Sequence, residues 1–330
     1  MSGEGRSRNA SFSWSPWALF RTLISLALLA YVLAHAEWGE VVGSLSEPRW
    51  LHLLLVLIIL PVEVGLLVFK WKILLEAKGG KAPFRRLYSL YVVGQFYNQI
   101  FPSSVGGDVV RAAALRSDTS SLMISAGSIV LERLTAAVTV LLLAVGALVL
   151  SPALRENGVL LLLAGATVGG FLLVLAAIAD HRFLLLLRRL FGSSRRLAGL
   201  LEGGERFREY LSSYRHQPRV LVLSILLSVV YYGCTMLSVT FAAYGAGFEP
   251  PLRAVVLAVP MVHMVSMIPI TIQGLGLAEW AFTVGFAALG ASPAAGITAA
   301  LFIRFRNILW AAGGYVLYLA GRSGGERKRG

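Results

Sequence analysis

Two runs of polar and helix-breaking residues interrupt apolar stretches of this chain, and they are built alike. The first is Pro102-Ser-Ser-Val-Gly106-Gly107-Asp108; the second is Pro269-Ile-Thr-Ile-Gln273-Gly274-Leu-Gly276-Leu-Ala-Glu279. In each, a proline stands five residues before a glycine and an acid follows. Arg133 lies 25 residues after Asp108, and Arg304 lies 25 residues after Glu279. A charge near the bilayer centre costs at least ~2.5 kcal/mol, so such residues pair with one another or line a polar path. Arginine's planar fork of donors suits phosphate. Gly106 and Gly107 stand just before a short helix expected over Val109–Arg116, where exposed amides suit an anion and glycine lets backbone approach a ligand. The candidate substrate-binding residues are Asn98, Gly106, Gly107, Asp108, Arg111, Glu132 and Arg133 at the first break. Gln273, Gly274, Gly276, Glu279 and Arg304 are the candidates at the second.

Two readings of these charges stay open. Asp108–Arg133 and Glu279–Arg304 either meet a charged substrate or are ion pairs that pin the broken helices to their neighbours. Gln95, Asn98 and Gln99 either join the site or bond to backbone freed by the break. Glu63, after Pro61, reads as structural, and Arg111 and Arg116 read as ordinary basic flanks if the first hairpin is shallow. His263, in an apolar segment, reads as a packed histidine, with proton relay as the alternative.

The surrounding composition is that of a membrane protein: 57% of the residues are hydrophobic, 14% are charged, and the mean hydropathy is +0.73. The fold class is all-α, a polytopic membrane helix bundle of about 7–9 membrane segments. Those segments are 17–35, 51–69, 87–101, 120–151, 158–179, 219–243, 252–268, 275–290 and 294–320. The net charge of +13 sits in loops and the tail, which fits positive-inside topology and anionic inner-leaflet lipid, not nucleic acid. Loop 70–86, with Lys70, Lys72, Lys78, Lys81, Arg85 and Arg86 against Glu76, reads as cytoplasmic. So do linker 180–219, with nine arginines against four acids, and the tail. The resulting orientation is a multi-pass plasma (inner) membrane protein of a prokaryote with both termini cytoplasmic.

Parity of the spans then makes each break a re-entrant helical hairpin, one from each face, in an inverted repeat. The expected organisation is a first membrane half at 1–179, a basic amphipathic linker at 180–218 and a second membrane half with a basic tail at 219–330. In the linker, Leu197, Leu200, Leu201, Phe207, Tyr210, Leu211 and Tyr214 recur at helical spacing, as in a helix lying on the inner leaflet, with a solvated basic connector around Gly203-Gly204 as the alternative. Segment 120–151, roughly 46 Å as a helix, is too long for one untilted span. Either its first turns stand in the cytoplasm or Glu132 and Arg133 sit at depth in a protein-lined cavity, and the second is expected. Residues 22–36 imitate a signal peptide, but Arg21 and the long preceding segment favour a retained helix. Cys234, the sole cysteine, reads as a small core residue. There is no Walker loop, no metal-ligand spacing and no cofactor motif.

The run Asn98-Gln-Ile-Phe-Pro102-Ser-Ser-Val-Gly-Gly-Asp108-Val-Val-Arg111, then Glu132-Arg133-Leu134, then Gln273-Gly-Leu-Gly-Leu-Ala-Glu279, resembles the lysylphosphatidylglycerol synthase transmembrane-region family. It is also called the flippase-like domain family. The resemblance covers about residues 15–320. It implies that Asp108, Arg111, Glu132, Arg133 and Glu279 occupy motif positions; Arg304 is added from the equal spacing. Members include the membrane half of the multiple peptide resistance factor, taken to move aminoacylated phospholipid between leaflets. Others are associated with hopanoid or polyprenyl-linked sugar pathways. The synthase's aminoacyltransferase is a soluble C-terminal domain, and this chain ends at Gly330, so a non-enzyme is expected.

The expected activity is translocation of a phospholipid or polyprenyl-phosphate lipid, with Arg111, Arg133 and Arg304 on the phosphate and Asp108 and Glu279 tuning the charge. The alternatives are a membrane-embedded transferase using Glu132 at the water interface, or a non-catalytic partner of a separate lipid synthase. A homodimer is also compatible with the sequence.

Overall fold

The computed structural model describes residues 16–44, 46–101, 105–119, 121–179, 195–268 and 270–326. Pro102 and Pro269, the first part of the linker and the final basic residues lie outside the described residues. The described residues form helices and no strand. In chain order these are α1 (Pro16–Ala34), α2 (Trp38–Ser44), α3 (Trp50–Glu76), α4 (Phe84–Ile100), α5 (Gly106–Thr119), α6 (Leu122–Leu150), α7 (Pro152–Glu156) and α8 (Gly158–Ala179). The second half adds α9 (Arg195–Ser212), a 3-10 turn (Ser213–His216), α10 (Pro218–Gly245), α11 (Leu252–Ser266), α12 (Leu277–Ala288) and α13 (Pro293–Glu326).

Helices dominate because hydrocarbon offers backbone no other partner. Among the described residues, α3, α6, α8 and α10 are each long and apolar enough to cross a membrane. The pair α1–α2, bent by 79°, makes a fifth if counted as one span. Local chemistry sets the ends. Ser121 caps α6 by accepting from the Ile124 amide, Asn157 caps α8 through the Leu160 amide, and Pro218 opens α10. Pro61 and Pro260 sit inside α3 and α11 without ending them.

Several boundaries differ from the sequence expectation. Helix α3 continues through Lys70 to Glu76, so Lys70 is not a loop residue. It is buried, and its Nζ donates to the Glu132 carbonyl at 2.9 Å and to Ser228 Oγ at 3.0 Å. The short helix expected at 109–116 is longer, beginning at Gly106 and ending at Thr119.

Two helical hairpins stand among the long helices. In α4–α5, Arg86 faces Asp118 near one end while Gly94 and Asn98 meet Gly107 at the other. In α11–α12, Ala258 packs on Gly285. Each hairpin has its own core. Leu87, Leu90 and Tyr91 of α4 pack with Val64, Val68 and Trp71 of α3. Val259, Val262 and Met264 of α11 pack with Phe282, Phe286 and Ala299 of α12 and α13 and with Leu141 of α6. Small residues bring the backbones together, as lipid-embedded helices require. The linker helix is not simply laid on a membrane. Phe207, Tyr210, Leu211 and Tyr214 pack with Leu74 and Leu131, and the Tyr214 hydroxyl donates to the Leu74 carbonyl at 2.9 Å.

Gly107 shows how tight the first hairpin is, since a Cβ there would lie 2.0 Å from the Gly94 carbonyl oxygen. Backbone cannot yield as a side chain can. Gly107→Ala is expected to destabilise the protein by about 1–3 kcal/mol or more. Gly146→Ala on α6, where a Cβ meets nothing within 4 Å, is expected to be neutral or stabilising. Thermal midpoints of the two variants in one detergent check this. Equal midpoints would mean that the hairpin is not closely packed.

Candidate functional site

The first break assembles four charges from two elements. Asp108 lies in the first turn of α5 and Arg111 one turn later; Glu132 and Arg133 are successive on α6. Arg111 Nη2 donates to Asp108 Oδ1 at 2.7 Å, and the same guanidinium reaches Glu132 Oε2 at 3.3 Å. Its face lies over the rings of Tyr91, 4.3 Å from the centroid, and Trp71, 4.8 Å away. Arg133 Nε pairs with the other oxygen of Asp108. Asp108, Arg111 and Glu132 are buried, whereas the Arg133 side chain is 49% exposed. Burying a charge is costly unless it is paired and hydrogen-bonded. Here one carboxylate holds two guanidiniums while another balances the set.

At the second break, Glu279 pairs with Arg304 Nε, and its Oε2 accepts from the Gly276 amide at 2.8 Å. The preceding backbone is unusual. Gln273 has φ +51°, Gly274 +71° and Gly276 +78°, all left-handed. Glycine takes this conformation freely; glutamine does so at a cost of order 1–3 kcal/mol.

A third pair joins the site without any signal in spacing. Glu63 Oε2 accepts from Arg306 Nη2 at 3.0 Å, and Ser238 Oγ donates to Glu63 Oε1 at 2.8 Å. Arg306 Nη1 donates to the same Ser238 oxygen at 3.0 Å, which closes a network between α3, α10 and α13. Glu63 and Arg306 are both buried.

These groups line two adjoining cavities of about 280 and 420 Å³. Glu63, Glu279, Arg304 and Arg306 line the smaller; Asn98, Asp108, Arg111, Glu132 and Arg133 line the larger. Leu67, Gln95, Tyr231, His263 and Gln273 line both and so stand between them. The two breaks, some 160 residues apart in the chain, therefore face one chamber divided into two cavities, and Gln273 of the second lines the larger cavity together with Asn98 and Asp108 of the first. The charges lining it balance: four carboxylates and four guanidiniums.

Four of the expected residues serve the backbone and line neither cavity: Gly106, Gly107, Gly274 and Gly276. The Gly107 amide donates to Asn98 Oδ1 at 2.8 Å, so it is already occupied and does not point at a ligand. Gly276 lets α1 approach, since a Cβ there would lie 2.5 Å from the Leu29 nitrogen. Arg111 is a buried member of the network, not a basic flank, while Arg116 is exposed. Glu132 is buried against Arg111 and lines the larger cavity. His263 Nδ1 donates to the Val259 carbonyl at 2.9 Å and the ring meets Tyr232 edge-on, yet it also lines both cavities. Cys234 is half-buried.

Apolar helices with paired charges around an internal polar chamber define a multi-pass helical membrane protein. The chain belongs to the family described as the lysylphosphatidylglycerol synthase TM region, whose model matches residues 18–313. It is similar to a UPF0104 membrane protein of Methanothermobacter thermautotrophicus, with 23% identity over 291 residues, spanning 82% of this chain and 83% of that one. No solved structure matches it.

Proposed function

We propose that this protein moves a phosphate-bearing lipid, a phospholipid or a polyprenyl-phosphate lipid, between leaflets of a prokaryotic plasma membrane, with both termini cytoplasmic. The observation that carries the reading is the shared chamber, because side chains from both breaks face it. Lengths support re-entrant hairpins: at 1.5 Å per residue the 15 residues of α11 and the 12 of α12 reach roughly 22 and 18 Å, short of a ~30 Å hydrocarbon core. Matching broken elements in two halves are the pattern of a transporter's site between inverted repeats.

The charges act by exchange of partners. A lipid phosphate competes with Asp108 for Arg133 and with Glu279 for Arg304. Both arginines line the chamber, and Arg133 is half exposed. Arg111 stays clamped between two carboxylates and two rings, and holds the local frame. Rocking of one half against the other then exposes the headgroup to alternate sides. This scheme needs no catalytic chemistry of the chain itself.

The test is a headgroup-accessibility assay in liposomes, with labelled anionic phospholipid first and polyprenyl phosphate next. Protein-dependent leaflet exchange that fails in an Asp108→Asn/Glu279→Gln variant supports the reading; no exchange of either lipid by folded protein overturns it. Arg133→Ala and Arg304→Ala are each expected to slow exchange at least tenfold while the protein stays folded. Unchanged exchange in both would mean that the arginines do not meet the headgroup.

A further inference from the structure

The first helix is tied to the second break across the whole length of the chain. Arg21 Nη2 donates to the Thr271 carbonyl at 2.7 Å, and the Ile272 amide donates to Ser25 Oγ at 2.8 Å. The Ser25 hydroxyl in turn donates to the Arg21 carbonyl at 2.8 Å, so the contact runs through both residues. Leu28 and Leu29 close on Gly276, where no Cβ fits. Arg21 and Ser25 are buried, and Arg21 has no carboxylate partner among the described residues. A buried guanidinium spent on one backbone carbonyl is costly. Its placement needs a reason beyond packing.

That reason lies one residue further along. Residues 271 and 272, held by α1, immediately precede Gln273, the non-glycine residue at positive φ among the described residues. Gln273 is also one of the residues that line both cavities. Strained backbone persists where its surroundings over-determine it. We infer that Arg21 and Ser25 are positioning residues of the chamber: they fix the backbone before Gln273 so that its side chain stands as a partition between the two cavities. Gly274 and Gly276, both left-handed, complete the turn that carries Gln273 to that place. The inference builds on the chamber as a transport path, but its test needs no lipid movement and so can fail separately.

The test is the reach of a membrane-impermeant thiol reagent in a Cys234→Ser background. Thr235→Cys reports on the smaller cavity and Ala136→Cys on the larger, since each lines one of the two. Reagent is added to one face of sealed vesicles at a time. Gln273→Gly suits the left-handed backbone and removes the side chain, so it keeps the fold and opens the partition. It is expected to raise labelling of the far cysteine, from the face that reaches the near one, at least tenfold. Ser25→Ala and Arg21→Gln are expected to raise it several-fold, and to add nothing once Gln273 is glycine. A role in stability alone would lower the thermal midpoint without changing which face labels which cysteine. An unchanged labelling pattern in Gln273→Gly overturns the partition. An effect of Ser25→Ala that persists in full beside Gln273→Gly overturns the link to α1.

Discussion

Arg306→Ala is expected to destabilise the protein by about 3–5 kcal/mol, the scale on which breaking a buried ion pair strands its partner. Glu63 and Arg306 have side chains only 3% and 4% exposed, so bulk solvent screens the pair little. Ser238 loses its second partner in the same step, because its hydroxyl bridges the pair. The complementary change makes the argument specific. Glu63→Leu/Arg306→Met removes both charges and fills similar space, and is expected to recover most of the loss, since desolvating the pair offsets much of its attraction. Denaturation midpoints of the two variants in one detergent check this. A loss under ~1 kcal/mol for Arg306→Ala would mean that solvent or another cation reaches Glu63.

Asp108→Asn is the second large effect, and it falls on transport. Asp108 accepts from Arg111 on one oxygen and pairs with Arg133 on the other, so its charge decides where both guanidiniums sit. Without that charge, the amide oxygen left in its place is a weaker acceptor, and Glu132 at 3.3 Å is the remaining carboxylate of Arg111. If the lost charge raises the transport barrier by ~3 kcal/mol, the rate changes by roughly two orders of magnitude. Leaflet exchange is expected to fall by that amount in Asp108→Asn, and by much less in Asp108→Glu, which keeps the charge. Equal rates in Asp108→Asn and the unaltered protein would make the cluster purely architectural.

The equal spacing of acid and arginine was readable because each pair joins neighbouring elements of one half: α5 with α6, and α12 with α13. The pairs Asp108–Arg133 and Glu279–Arg304 do form. Glu63–Arg306 joins α3 to α13 across 243 positions, and no local pattern announces such a contact. Lys70 was misread for a related reason. At the end of an apolar run a lysine resembles a loop charge, and only the helix continuing to Glu76 carries it inside. Proline was a weaker marker than glycine. Pro61 and Pro260 lie within unbroken helices, whereas Gly274 and Gly276 take up the left-handed turn. The glycines of the first break invited a ligand-binding reading because open backbone and tightly packed backbone use the same residue. The Gly94 oxygen beside Gly107 decides for packing there.

The contact between Arg21 and Thr271 spans 250 residues, and this has a consequence for how the protein is made. At roughly 5–20 residues per second, the partner of Arg21 is synthesised about 12–50 s after α1. During that interval the first helix carries an arginine into a bilayer that does not yet contain its acceptor. Its long side chain must reach the headgroup layer, or the insertion machinery must shelter it. Docking of α1 is thus a closing step of biogenesis. A chain released before the second break is made lacks the acceptor that holds that arginine in the finished molecule.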